Sequence, residues 1–521
     1  MSSSELLGSP LPRRAVLLGS AALAAAPILG RAASASALVR SGRPSLTHGI
    51  QAGDVTASSG TIWTRADRAS QMIVEVAGDP SFRNARRLPG PHLRQSADFT
   101  GKTVLRGLPS GQDIYYRVTA LDDDRASEPI IGHFRTPSRA RKDITFLWSG
   151  DLAGQGWGID TARGGYRIFE AMKALEPDFF LHNGDNIYAD GPITETQALP
   201  DGSLWHNVVT PEKAKVAETL AEYRGNYKYN LLDAKLRAFY ADVALIAQWD
   251  DHETRNNWYP GEILTDSAYT EKRVDVLARR ARQAFHEYQP LNPSYDDEGR
   301  IYRVLHQGPL LDVFVLDMRW YRDANSTNKQ TANDGGILGR TQAEWLKREL
   351  AASKATWKVL AADMPLTDVV NDATEGTANF EAIAQDDNGR PLGREIQFAD
   401  IFTFLKRHDI RNVVWLTTDV HYTAAYYFDP ATAAYSDFNP FWQFTTGPLH
   451  AGAFPASKVD TTFGAQTKFV KAPTLANTAP DTEYQFFGEV KIAADTGKLR
   501  VNLRDNSGAV LWSTELEPHR R

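Results

Sequence analysis

Four apolar segments of this 521-residue chain end in acidic or imidazole side chains. Ile144 to Gly150 leads to Asp151, and Phe179 to Gly184 leads to Asp185, Asn186 and Tyr188. Ala244 to Trp249 leads to Asp250-Asp251-His252-Glu253, and Val413 to Thr418 leads to Asp419-Val420-His421. A single Asp after a strand serves as a helix cap or turn residue as readily as a ligand. Four consecutive ionisable residues after a buried strand need counter-charge to sit together, and a metal ion supplies it. Carboxylates and imidazoles gathered from separate strands suit a hard or borderline cation.

Something must bring those ends together. From Asp143 onward, β-rich runs alternate with helical stretches. The runs are Ile144 to Trp148, Phe179 to His182, Ala244 to Trp249, Val313 to Leu316, Val359 to Ala362 and Val413 to Leu416. The predicted helices are Tyr166 to Leu175, Ala268 to Tyr288, Ala343 to Ala351 and Phe398 to Arg407. This alternation predicts an α/β fold of buried sheets covered by helices. In open α/β sheets the ligand crevice lies at the carboxyl ends of the strands. Residues 45–137 read differently: short alternating strands between turns such as Gly78-Asp79-Pro80 predict an N-terminal all-β, fibronectin III-like sandwich. The catalytic domain then spans 143–521, and its last strands, Phe486 to Thr514, either complete one of its sheets or cap an edge.

The net charge of −6 is interspersed along the chain and gives no basis for a stable nucleic-acid complex. The absence of cysteine excludes disulfides, zinc–thiolate sites, iron–sulfur clusters and thiol nucleophiles. Arg13-Arg14, the apolar run Ala15 to Leu29 and Ala35-Ser36-Ala37 follow the order of a signal peptide over 1–37, of twin-arginine type. Gly19 and Pro27 break the run, which is short against the roughly 20 residues of a membrane span. The expectation is export through the twin-arginine translocase to the periplasm or medium, with no transmembrane anchor.

The set of segments resembles the metallophosphoesterases, and within them the alkaline phosphatase D family, related to purple acid phosphatases. The resemblance runs from about Gly49 to the C-terminus. It is carried by Gly49-Ile50-Gln51-Ala52-Gly53-Asp54, Ile62-Trp63-Thr64-Arg65, Gly184-Asp185-Asn186-Ile187-Tyr188, Trp249-Asp250-Asp251-His252-Glu253, Asp317-Met318-Arg319-Trp320-Tyr321-Arg322 and Asp419-Val420-His421. It implies a four-layer α/β/β/α sandwich and hydrolysis of phosphate esters by a metal-activated water. It also implies roles. Asp185 bridges two metals; Asp151 and Tyr188 bind one of them, Asp251 binds the other, and Asp419 and His421 complete the coordination. His252 is the catalytic histidine, with Asn186 and Arg255 as further catalytic candidates. Arg319 and Arg322 contact the substrate phosphate, or else form structural ion pairs around the carboxylates. The implied metals are Fe3+ and Ca2+, with Zn or Mn as alternatives.

Two departures from the family pattern matter. Asp151, in Ser149-Gly150-Asp151, stands where the family usually has a cysteine ligand. The histidine that related enzymes supply before the final segment has no clear counterpart, and Asp363 and His450 are the available substitutes. The substrate expectation is a phosphate-ester small molecule, or a fragment of a phospholipid or nucleotide. Other readings are a phospholipid-diester hydrolase of the same fold and a non-catalytic metal- or glycan-binding surface protein.

Overall fold

Alternation inside the apolar runs decides the architecture. In Ile144–Ser149, Phe146 and Trp148 face one way and Leu147 the other. In Phe179–Asn183, Phe179 and Leu181 oppose Phe180. Both faces are buried, so the strands read as continuous apolar runs. The computed structural model describes residues 42–123, 125–295, 299–332, 336–372 and 379–519; the segment 1–37, expected to be a signal peptide, lies outside them.

Two sheets share one core. Phe146, Trp148, Leu181 and Ile246 of the first sheet meet Val313, Val359, Leu416 and Phe444 of the second. The outer face of the first sheet (Leu147, Phe180, Leu245) lies under helices Ile168–Lys173, Leu220–Asn230, Ala234–Asp242 and Val274–Tyr288. The outer face of the second (Phe314, Leu360, Trp415) lies under helices Gly339–Ala352 and Glu395–Arg407. These are the four layers α/β/β/α.

Ile144–Ser149, Phe179–Asn183 and Ala244–Gln248 run parallel at the centre of a nine-stranded sheet. In the seven-stranded sheet, Leu311–Val315, Trp357–Ala361, Val413–Thr417 and Phe441–Thr445 run parallel. Phe486–Ile492 pairs antiparallel with Ile144–Ser149 and is followed by Leu499–Asp505 and Val510–Leu516, so the last strands complete the first sheet. On its other side, Ile50–Thr56 pairs parallel with Ala244–Gln248, and Ser59–Arg65 and Thr100–Arg106 extend it. The remaining N-terminal strands, Ser70–Ala77, Arg86–Leu93, Asp113–Asp122, Arg125–Ala126 and Ile130–Arg135, form a separate five-stranded sheet. Three of the N-terminal strands are therefore continuous with the first of the two core sheets.

A buried ion pair fastens that junction. The Arg303 guanidinium donates to Asp54 Oδ1 at 3.0 and 2.8 Å, to Ala247 O at 3.1 Å and to Ile301 O at 2.9 Å. Both side chains are essentially inaccessible, at 0 and 2 % exposure. Removing one partner strands the other's charge in the interior, which costs about 3–5 kcal/mol. Asp54→Ala is therefore expected to lower unfolding free energy by about that amount, read from denaturant midpoints; a loss below about 1 kcal/mol would show that the pair is not structural in this sense.

Candidate metal centre

The carboxyl ends of the parallel strands of both sheets meet, and amide side chains stitch them. Asn183 Nδ2, on the first sheet, donates to Ala362 O (3.2 Å) and Leu416 O (2.8 Å) of the second. Gln248 Nε2 donates to Leu316 O at 2.9 Å, and Thr418 Oγ1 donates to Asn183 O at 2.6 Å. Each amide stands two residues before an acid, Asp185 or Asp250, which was a readable signal that sequence reasoning passed over.

Beyond those ends the chain turns through the left-handed region. Asp151 (φ 67°), Asp185 (47°), Asp419 (73°) and His421 (58°) all adopt it, at a cost of order 1–2 kcal/mol each for residues with a Cβ. Short acidic side chains tolerate that conformation best. Glycine is used where approach is closest: a Cβ on Gly447 would sit 2.1 Å from Asp151 Oδ2, and one on Gly154 would sit 2.6 Å from the Tyr188 ring.

The turns assemble two overlapping donor groups. Asp151, Asp185 and His421 place their ligand atoms within 4.8 Å of one another, and so do Asp185, Asp251 and His252. Asp185 belongs to both. Tyr188 adjoins the first group, its hydroxyl 2.7 Å from His421 Nε2. His421 Nδ1 lies 2.5 Å from Gly452 O, an atom that can only accept, so Nδ1 carries the hydrogen. Nε2 then presents its lone pair toward Asp151 (3.4 Å) and Tyr188, the arrangement in which a ligating histidine is held by a carbonyl behind it. His252 is held in the same manner: Nδ1 is 2.7 Å from Asp190 Oδ1, and Nε2 lies 3.9 Å from Asp251 Oδ1.

The electrostatics of the cluster are unbalanced. Burial, then the charges of Asp251, Asp250 and Asp151, push the Asp185 carboxyl well above the usual range. Burial does the same to Asp419 and Asp363, with Asp250 adding to each, and raises Asp250 to about 6. Burial works to raise Asp251 as well, but His252 and Arg319 outweigh it and hold it below its ordinary value. For His252, burial is outweighed by Asp190 and Asp251, which push it up to about 9. Among the described residues, both oxygens of Asp151, Asp251 Oδ1, Asp363 Oδ2 and Asp419 Oδ2 have no hydrogen-bond donor although buried. Buried acceptors without donors are costly, and buried carboxylates in contact cannot all ionise without added positive charge. Oxygen-rich donors with two imidazoles and a phenol fit hard or borderline cations, so the residues present suit a metal pair.

Not every sequence candidate offers a free group to the cluster. Both ends of the Asn186 amide are engaged, with Gln248 O and Gln289 Nε2, each at 2.8 Å. Arg255 turns its guanidinium onto Glu262 at 2.7 Å. Arg319 is fully buried, donates to Asp250 (2.5 Å) and pairs with Glu381, to which Arg322 also donates. Arg319 Nη2, 4.0 Å from Asp251 Oδ2, has no acceptor among the described residues. Asp419 is a member of neither donor group; the acids whose charges act on it are Asp250, Glu381 and Asp251, the last of which belongs to the second group. His450 is not in either group: its Nε2 bonds Gly158 O (3.0 Å), and its backbone clasps the Asp151 turn. Burial lowers it to about 4. Asp363 sits beside Arg319 (3.5 Å) and Gln248 (3.3 Å).

The PhoD-like phosphatase pattern matches residues 146–503, and that of the PhoD-like phosphatase N-terminal domain matches residues 32–138. This chain belongs to the PhoD-like phosphatase family. It is 29 % identical over 401 residues to alkaline phosphatase D of Bacillus subtilis (strain 168), a match covering 72 % of this chain and 64 % of that protein. The chain thus matches just under two thirds of that relative's length. Among solved structures, PhoD superposes with a TM-score of 0.68 at 22 % identity, over 91 % of this chain and 89 % of the other. The purple acid phosphatase PPD1 of yellow lupin seeds does so with a TM-score of 0.54 at 12 % identity, over 91 % and 74 %. Both likenesses are likenesses of fold. No helix among the described residues is long and apolar enough to cross a membrane.

Proposed function

We propose that the chain is an exported, metal-dependent phosphatase or phosphodiesterase that hydrolyses phosphate esters at the Asp185 cluster. The observation that carries this reading is Asp185 shared by two donor groups amid buried carboxylate oxygens that lack donors. Asp151, Asp185, Tyr188 and His421 would hold one cation, and Asp185 with Asp251 the second, with Asp419 contributing from the Asp250 side. Two cations bound there would supply a nucleophile at moderate pH and neutralise phosphoryl oxygens. Fe3+ with Ca2+ suits the phenol- and carboxylate-rich set, with Zn or Mn as alternatives.

The protein's own groups do the rest. His252, fixed by Asp190 through Nδ1, holds a proton at Nε2 for the departing alcohol oxygen. Arg319, buried beside Asp250 and Asp251 and held through Glu381, which Arg322 shares, offsets the charge of those carboxylates. Asn186 acts by position: its backbone N–H donates to Glu253 Oε1 at 2.6 Å, as does that of Asp250 to Oε2 at 2.7 Å, which locks the two ligand loops together. Passage through the twin-arginine translocase, which carries folded proteins, would let metals be loaded before release to the periplasm or medium.

Hydrolysis of p-nitrophenyl phosphate and of bis(p-nitrophenyl) phosphate by metal-loaded protein tests the reading. Activity toward at least one ester, falling to background on chelation and returning with added metal, is the expected result. Activity indifferent to chelation would contradict the metal dependence, and no activity with metal bound would count for the binding-protein alternative.

A further inference from the structure

A second group of buried oxygens lies where the loop before helix Glu395–Arg407 meets the loop at residues 458–462. Glu395 and Asp460 are 1 and 4 % exposed, and Gln385 and Thr462 are 1 and 0 %. Gln385 Nε2 donates to Glu395 Oε2 at 2.8 Å, which leaves Gln385 Oε1 without a donor among the described residues. Asp460 uses Oδ1 for the backbone N–H of Thr462 at 2.7 Å, while Oδ2 has no donor, and the Thr462 hydroxyl faces Glu395 and receives no donor itself. Burial, with the charge of Asp460 adding to it, raises Glu395 to about 8. The charged groups nearby are spent elsewhere: Lys458 donates to Asp386 at 2.7 Å, and Arg394 donates to the carbonyls of Phe380, Glu381 and Ala382. Two buried carboxylates, an amide oxygen and a hydroxyl, three of them with an oxygen lacking a donor, have one chemical need in common, a cation that accepts oxygen ligands.

We propose that Gln385, Glu395, Asp460 and Thr462 form a structural calcium site, separate from the Asp185 cluster. Oxygen-only donors from two loops suit Ca2+, which accepts six to eight ligands in adaptable geometry and can fill the remainder with carbonyls and water. The ion would tie the start of helix Glu395–Arg407 to the 458–462 loop. That loop is itself bonded to the segment following Asp363, through Asp460 N to Thr367 O at 2.8 Å.

The test counts Ca2+ equivalents by equilibrium dialysis on the full chain and records melting temperature with and without Ca2+. The chains compared are wild type, Asp460→Asn, Glu395→Gln, and each of these two combined with Asp185→Asn. Each loop variant is expected to bind one equivalent fewer than its parent and to lose the Ca2+-dependent rise in melting temperature, with phosphatase activity at 25 °C unchanged. The one-equivalent difference is read against each parent, so it stands whether or not the Asp185 site behaves as proposed. If Asp460→Asn fails to fold, Glu395→Gln supplies the same reading. Unchanged Ca2+ counts in the folded variants would overturn the site. So would melting temperatures that rise in the variants independently of Ca2+, the mark of a carboxyl pair sharing a proton.

Discussion

Asp185→Asn is expected to abolish metal binding at the cluster and ester hydrolysis together. Asp185 is the side chain common to both donor groups, so its loss is not confined to one ion. Asparagine keeps the shape of the carboxylate but supplies one neutral oxygen, and a neutral amide neither bridges two cations well nor balances their charge. A fall in kcat/KM of at least about a thousandfold, roughly 4 kcal/mol, is expected. Unfolding would be a trivial route to the same loss, and the electrostatics separate the two. Burial and the neighbouring acids push the Asp185 carboxyl up, so in metal-free protein the charge works against folding. Metal-free Asp185→Asn should therefore melt no lower than metal-free wild type. An active, metal-loaded Asp185→Asn protein would contradict the assignment.

His252→Ala should cost about 10²–10⁴ in kcat, the range typical of a positioned proton donor. Asp190→Asn should cost less, because it removes the partner that orients the ring but keeps the ring itself. The leaving group tells the two roles of His252 apart. If Nε2 supplies a proton to the departing oxygen, an alkyl phosphate suffers far more from His252→Ala than p-nitrophenyl phosphate, whose phenolate leaves without help. Equal losses with both substrates, accompanied by loss of metal, would place His252 among the ligands instead.

Six central strands were legible because they are buried on both faces and carry unbroken apolar runs, whereas Thr423–Phe428, Phe441–Thr445 and the more exposed Ala465–Lys471 were not read. Helices Val274–Tyr288, Gly339–Ala352 and Glu395–Arg407 were legible for the complementary reason, an apolar stripe at helical spacing. Helix Leu220–Asn230 was not, because its buried face is built of Tyr223, Gly225, Asn226, Tyr227, Tyr229 and Asn230 rather than aliphatic residues. Its signal was the reciprocal cap of Thr219 and Glu222. Helix Ala234–Asp242 carried two signals that went unread: Leu236, Phe239 and Tyr240 at helical spacing, and Asp233, which accepts from the N–H groups of Lys235 and Leu236 at 2.9 Å.

At the site, residues directly after apolar runs could be named from sequence, since position after a strand is a local property. Their supports are non-local. Glu381, which gathers Arg319 and Arg322, lies 62 and 59 residues away in sequence, in an irregular segment with no periodicity to read. Asp190 lies five residues after Asp185, near enough to notice, but nothing in the spacing says that it turns toward His252. The junction at Asp54 was visible as part of a family segment. Its partner, Arg303, is 249 residues distant and emerges only from the fold.

Anomalous diffraction from crystals of the metal-loaded protein tests the central claim most directly. The account predicts two cation peaks that both contact the Asp185 carboxylate, one among Asp151, Tyr188 and His421 and the other against Asp251. A single peak, or two that do not share Asp185, would contradict it.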